Sequence, residues 1–323
     1  MHDKAVIVTK RTPLEELRVR YGTDGQARFV LEKANASFEP YLQFAEKYAR
    51  AVDETLKHIP DGVRVAVVDS TLLPTYQFDP NCVVATIGPD GLAVNTAKYL
   101  SGQPLVAINP DPKTIDGKIA SSSPYELGSL LKNYQSQKEY LTMAEASLPD
   151  GQRILAMNDL FIGHASHQSA RYVIEHAKNS EHQSSSGIIV STGTGSTGWR
   201  RSVMAGAAGL LESLGLGPEA ERIRAAFEFP RSSEELRFYV REPFPSGITS
   251  TGLTTGTITK RSPLIVQSEM PTKGVIFSDG VESDYLTFNS GETATIRVSE
   301  QRTLLWRLLR IHVGQANSKA TTS

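Results

Sequence analysis

Four short apolar runs punctuate the start of the chain: Ala5–Val8 (AVIV), Val63–Val68 (VRVAVV), Cys82–Ile87 (CVVATI) and Leu105–Ile108 (LVAI). Helical sequence separates them. From Pro40 to Leu56 the apolar positions Tyr41, Phe44, Ala45, Tyr48, Val52 and Leu56 follow the 3.6-residue period. Pro40 suits a first helical turn, and Pro60-Asp61-Gly62 closes the stretch as a turn. Ala93–Leu100 predicts a second, short helix. Strands that are apolar throughout, alternating with helices, predict a mostly parallel sheet covered on both faces.

The pattern changes after about residue 150. Leu236, Phe238 and Val240 alternate with Arg237, Tyr239 and Arg241, and Ala294, Ile296 and Val298 alternate with Thr295 and Arg297. Turns recur at Thr251-Gly252, Ser278-Asp279-Gly280 and Ser290-Gly291. A period of two with close turns predicts antiparallel sheet, interrupted by an Ala-, Leu- and Glu-rich helical insertion near Val203–Phe227. The segment Ser121–Ser136 is expected to join the halves, and the polar tail from about Gln315 to fray. The expected divisions are 1–125 (α/β), 126–300 (β-rich), and a C-terminal segment 301–323 that is a candidate to return to the first domain.

Composition narrows the function classes. A chain of 323 residues suggests about two domains. The net charge of −1 gives no global attraction to nucleic acid or to an anionic membrane. The single cysteine, Cys82, excludes an intramolecular disulfide and any multi-cysteine metal site. No apolar run approaches the roughly 18 residues of a membrane span, and the N-terminus carries no secretory pattern. The expected location is cytoplasmic, with no membrane or nucleic-acid partner.

Three segments carry chemistry-bearing residues. Gly88-Pro89-Asp90-Gly91-Leu92 follows the third strand. A carboxylate at the carboxyl end of a parallel strand faces the crevice where open α/β sheets bind ligands, though Pro-Asp-Gly is also a good plain turn. Asn158-Asp159 precedes an apolar strand, and an amide beside a carboxylate can read an adenine edge and ribose hydroxyls. The alternative there is an Asx-turn. Ser191-Thr192-Gly193-Thr194-Gly195-Ser196-Thr197-Gly198-Trp199 follows another strand. Its glycines fit G-x-G-x-x-G, but Glu212, 19 residues after Gly193, falls inside the helical insertion and not after a second strand. Trp199-Arg200 stands where a Walker loop needs Lys-Ser/Thr, and no protein-kinase HRD or DFG element occurs. The loop still offers the hydroxyls of Thr192, Thr194, Ser196 and Thr197 to phosphate or ribose, or else forms a Gly/Thr-rich turn. His164 and His167 lack a ligating set and are expected to be exposed polar residues.

Taken in order, these segments resemble the NAD kinase family, which carries Gly-Gly-Asp-Gly-Thr, an Asn-Glu pair, Ser-Thr-x-Thr-Gly-Ser-Thr-Ala-Tyr and a late Asp-Gly, here Asp279-Gly280. Asn109-Pro110-Asp111-Pro112, Thr-Gly-Thr-Gly-Ser and Arg241-Glu242-Pro243 are most similar to the mitochondrial-type branch. The resemblance runs from about Ala5 to Leu309. It implies a Rossmann-like α/β N-terminal domain with a β-sandwich-type C-terminal domain and NAD between them. It implies transfer of a nucleotide γ-phosphoryl group to the adenosine-ribose 2′-hydroxyl of NAD(H), with Mg²⁺ accompanying ATP or another donor and no separate metal site. It implies Asp90 as the catalytic carboxylate. Gly88, Gly91, Asn158, Asp159, Thr192, Thr194, Gly195, Ser196 and Thr197 would bind nucleotide and substrate. A homodimer or homotetramer is implied as well.

The sequence departs from the family at four places. Pro89 replaces a glycine and removes one backbone N–H from the phosphate cradle. Leu92 replaces a threonine, Asp159 a glutamate and Trp199 a tyrosine. These leave two further readings: a kinase for another hydroxyl acceptor (sugar, nucleoside or lipid), and a non-catalytic nucleotide-binding protein.

Overall fold

A computed structural model describes residues 2–226 and 228–309. The expected frayed tail from Gln315 and the Phe227 end of the insertion lie outside the described residues. The chain runs β1 (Lys4–Thr9), α1 (Pro13–Tyr21), α2 (Asp24–Lys33), α3 (Glu39–Lys57), β2 (Arg64–Asp69), β3 (Val83–Ile87), α4 (Asp90–Ala97), β4 (Pro104–Ile108) and α5 (Glu126–Leu131). It continues as β5 (Ser136–Ser147), β6 (Arg153–Ala156), β7 (Asp159–His164), β8 (Ala170–His176), β9 (Asn179–Ser185) and β10 (Ile188–Ser191). The remainder is α6 (Trp199–Ser213), α7 (Gly217–Ala225), β11 (Glu235–Val240), β12 (Thr255–Thr259), β13 (Leu264–Ser268), β14 (Gly274–Ser278), β15 (Val281–Thr287) and β16 (Thr293–Leu308).

The expected parallel sheet forms in the order β2-β1-β3-β4, every neighbouring pair parallel. Alternate side chains serve its two faces. Ala5, Ile7, Val83, Ala85 and Ile87 pack with Tyr48 and Ala51 of α3 and with Leu127 and Leu130 of α5. Val6, Val8 and Val84 pack with Leu92, Ala93, Val94 and Ala97 of α4. The order reverses between β1 and β3, which makes the carboxyl end of β3 a topological switch point. Asp90 stands there.

Helix α4 starts three residues before the predicted Ala93. Pro89, extended at ψ 167°, is its N-cap, and the Asp90 side chain enters its first turn, where a negative charge favours the helix. The segment Ser121–Ser136, expected as a plain join, contains α5. Helices α1 and α2 were not foreseen: they bury only Leu14 and Ala27, too few for a periodic signal. Their capping does carry one, since Thr12 and Glu15 form a reciprocal capping box with Pro13 in the first turn between them.

The β-rich half is a sandwich. A six-stranded antiparallel sheet, β12-β11-β10-β7-β14-β15, faces β6, β5, β16, β13, β8 and β9. Leu160, Ile162, Val190, Phe238 and Ile276 of one sheet share a core with Tyr172, Ile174, Val266, Ala294 and Ile296 of the other. Strand β16 spans both halves: Leu264–Gln267 of β13 pair with its first part, and Pro104–Leu105 of β4 pair parallel with Leu304–Leu305. The chain is thus a Rossmann-like α/β unit joined to a β-sandwich. Among the described residues no helix is long and apolar enough to cross a membrane.

Leu92 illustrates how the departures from the family pattern are absorbed. It is 4% exposed and lies beneath Gly88, where an added Cβ would come 3.0 Å from its Cδ2. Replacing Leu92 by Thr should therefore cost about 2–4 kcal/mol, through lost apolar burial and an unsatisfied hydroxyl. Chemical denaturation read by circular dichroism checks this.

Candidate functional site

The Asp90 carboxylate does not hang free in the crevice. Its Oδ2 accepts the backbone N–H of Lys118 at 2.9 Å, and its Oδ1 accepts those of Ile119 at 3.0 Å and Ala120 at 2.7 Å. The loop that presents these amides is organised by Asn109 and Asp111. Asn109 Nδ2 donates to Ile115 O at 3.0 Å, and Asp111 N donates to Asn109 Oδ1 at 3.0 Å. The Asp111 carboxylate takes Lys47 Nζ at 2.7 Å and Thr114 Oγ1 at 2.6 Å, and Lys47 foremost holds it below the usual carboxylate range. Gly117 is required here, because a Cβ would meet Ala120 O at 2.0 Å. A carboxylate offers about four acceptor positions, so three N–H bonds leave one for a ligand hydroxyl.

The second cluster joins three distant segments. Asp279 and Gly280 form the β14–β15 turn with φ of 56° and 72°, the pair of positive φ values that a tight hairpin demands. The Asp279 carboxylate turns back to accept Met157 N at 3.1 Å, Asn158 N at 2.7 Å and Asp159 N at 3.2 Å. The Asp159 carboxylate accepts the Ser191 hydroxyl. Burial pushes Asp279 up to about 6, against the three amides and the charge of Lys98. Burial and then the neighbouring Asp279 charge push Asp159 up to about 7, against the Ser191 bond. Carboxyls shifted this way by burial and a neighbouring like charge are functional candidates.

The Gly/Thr loop meets this cluster, though its hydroxyls divide in a way the sequence did not foresee. Thr192 Oγ1 donates to Met157 O at 2.6 Å and accepts Thr194 N and Gly195 N at 3.1 and 3.2 Å. Ser196 Oγ donates to Gly193 O at 2.7 Å. These two hydroxyls shape the loop and commit their protons to backbone carbonyls. Thr194 Oγ1 is buried without a partner among the described residues, and Thr197 is partly exposed. The glycines permit close approach: a Cβ on Gly195 would meet Asn158 O at 2.3 Å, and one on Gly193 would meet Pro230 O at 2.1 Å. A Cβ on Gly91 would meet nothing within 4 Å, so that glycine answers no packing need. His164 is a correction: it is buried at 9% exposure, its Nδ1 bonded to Ser166, while His167 is exposed as expected.

Arg231 links the two clusters. Its Cα lies 2.8 Å from where a Gly193 Cβ would stand, and its Nη1 donates to Lys118 O at 3.3 Å, in the loop that cradles Asp90. Sequence reasoning missed Arg231 and the Lys118–Ala120 amides, since backbone donors leave no composition signal. It also missed an aromatic row on the outer face of β7 and β14. Trp199 stacks on Phe161 at 5.7 Å and Phe161 on Phe277 at 4.8 Å, lining a cavity of about 520 Å³ that Arg241, Lys273 and Glu282 edge. Phe161 was legible as an apolar residue on the polar phase of the Asp159–His164 strand.

Comparison with known proteins extends this picture at the level of fold. No family model matches the chain, and no curated protein sequence matches it. Among solved structures, an NAD kinase from Archaeoglobus fulgidus in complex with ATP is similar, with a TM-score of 0.54 and 18% identity. The match covers 94% of this chain and 92% of that one.

Proposed function

We propose that the chain is an NAD(H) kinase-like phosphotransferase, moving a nucleotide γ-phosphoryl group to the adenosine-ribose 2′-hydroxyl of NAD. One observation carries the reading. Asn158-Asp159, the Gly193–Gly198 loop and Asp279 converge on one cluster, and Arg231 ties that cluster to Asp90 at the sheet's switch point. The similar fold of an ATP-bound NAD kinase agrees with it.

In this reading the ribose oxygen attacks the γ-phosphorus, the bond to the β-phosphate oxygen breaks, and Asp90 accepts the hydroxyl proton through its remaining acceptor position. The donor phosphates lie over the Gly88–Gly91 backbone and the start of α4. Mg²⁺ bound to the donor nucleotide would neutralise its phosphates, while the remaining acceptor position of Asp90 would serve the hydroxyl. The Asn158 amide, which makes no hydrogen bond to the described residues, would read the acceptor's adenosine together with Asp159 and Thr197. The aromatic row would receive a flat ring. The mitochondrial-type branch and a homodimer or homotetramer belong to the same proposal. A mass of one chain by light scattering, with full activity, would contradict the oligomer.

A second reading, a kinase for another alcohol, is favoured by Leu92. It fills with core hydrocarbon the position where the family has a hydroxyl. A screen of donors and acceptors, reading phosphorylated product by mass, decides between them. A new 2′-phosphate on NAD supports the first reading, product only with another alcohol supports the second, and binding without product sinks both.

Gly91 gives a sharper test. Gly91→Ala should keep or raise the melting temperature, because Ala favours a helix over Gly by up to about 1 kcal/mol. Its methyl group would stand in the way of the donor phosphates, so turnover should fall about 10-fold or more. Unchanged kinetics would show that no phosphate approaches this backbone.

A further inference from the structure

Helix α4 has a second end. It runs from Asp90 to its C-cap Lys98, a span of about 12 Å at 1.5 Å per residue. Lysine is almost never buried without a partner, yet the Lys98 side chain is 4% exposed. Its Nζ donates to Ser278 Oγ at 3.0 Å and to Asp284 Oδ2 at 3.0 Å. Those residues flank the Asp279–Gly280 turn on β14 and β15. The Tyr99 hydroxyl donates to Asp284 Oδ2 at 3.2 Å, and the Gln301 side chain donates to Leu100 O. The far end of α4 is therefore fastened to the hairpin whose Asp279 carboxylate holds the amides of Met157, Asn158 and Asp159.

We infer that Lys98 is a positioning residue for phosphoryl transfer: by gripping Ser278 and Asp284 it sets the spacing between Asp90 and the Asn158–Asp159–Asp279 cluster, and it supplies the positive charge facing Asp279. The inference rests on the phosphotransferase reading. The charged groups facing Asp279 are Lys98 from α4 and Asp159 from β7, with Asp284 of β15 reaching it through Lys98. The carboxylate form of Asp279 is the better acceptor for three amides, so activity should rise with pH as the pair loses its proton.

The test compares wild type with Lys98→Met, Lys98→Arg and Ser278→Ala, measuring kcat and KM from about pH 5 to about pH 9. In Lys98→Met, kcat should fall about 10- to 100-fold with KM less affected, as small misplacements do. The acidic limb of the kcat profile should move up by about one pH unit, because a compensating cation is gone. Lys98→Arg should hold the limb in place and recover part of kcat. Ser278→Ala keeps the charge and loses one grip, so kcat should fall with no shift of the limb; it also serves if the Met variant does not fold. A limb and a kcat per folded molecule that stay at wild-type values in Lys98→Met or Ser278→Ala overturn the role of Lys98 alone. Wild type giving no phosphorylated product overturns the phosphotransferase reading, and this role with it.

Discussion

Replacing Asp90 by Asn is expected to slow phosphoryl transfer at least ~100-fold, the lower range for loss of a general base. It should also destabilise the protein, which the sequence alone did not suggest. Asp90 uses both oxygens, Oδ2 toward Lys118 N and Oδ1 toward Ile119 N and Ala120 N. An Asn oxygen can keep the latter two bonds, but its NH₂ group then meets the Lys118 N–H, donor against donor. That mismatch costs about 1–3 kcal/mol. Rate and melting temperature must therefore be read together, with the rate expressed per folded molecule. Asp111→Asn is the control. It weakens the Lys47 ion pair that organises the same loop and leaves Asp90 intact. A rate loss in Asp90→Asn no larger than in Asp111→Asn would assign Asp90 to loop order and remove it from the chemistry.

The contrast between these two carboxylates shows what was legible in the sequence. The strands β1, β3 and β4 and the helix α3 could be read directly, because burial on both faces of a parallel sheet forces continuous apolar runs and the helix keeps a strict period; the edge strand β2 was read from its valines, although Val65 and Val67 are exposed. The sandwich strands β11 and β16 were legible from alternation. The register and the meeting of strands far apart in the chain were not, because pairing is decided by which apolar faces meet in space. The same holds for the site. Asp90, Asn158, Asp159 and the Gly193–Gly198 loop stood out by residue type. Hidden from residue type were the backbone amides of Lys118–Ala120, the orphaned Thr194 hydroxyl, and the turning inward of Thr192 and Ser196. Lys98 left a faint trace, as a lone charge closing the uncharged stretch Gly91–Ala97. Nothing local to that helix indicates that its partner lies 186 residues away.

Asp159→Asn is expected to separate stability from function. In an unfolded chain both carboxyls titrate near 3.8, whereas in the folded protein Asp159 is pushed up to about 7 and Asp279 to about 6. The folded state thus keeps protons that the unfolded state releases. The stability this supplies is fully present below about pH 4 and is lost as pH rises through 6 to 7. Above neutrality two negative charges stand close together in a poorly hydrated place. Asn keeps the acceptor for Ser191 and removes one of those charges. The variant should therefore be more stable than wild type at pH 8, by about 1–3 kcal/mol once partial exposure of Asp159 is allowed for, and the gap should close toward pH 4. Function should move the other way. On the proposed phosphotransferase reading, a ribose hydroxyl bonded to the Asp159 carboxylate would gain a charge-assisted hydrogen bond that an amide oxygen only partly replaces, so KM for NAD should rise about 10- to 100-fold. Melting curves and steady-state kinetics across this pH range read both arms. A variant that is less stable than wild type at every pH would mean that Asp159 serves the fold. The expected crossing of the two effects would instead mark the pair as a costly arrangement in the free protein, relieved when a hydroxyl-bearing ligand donates to it.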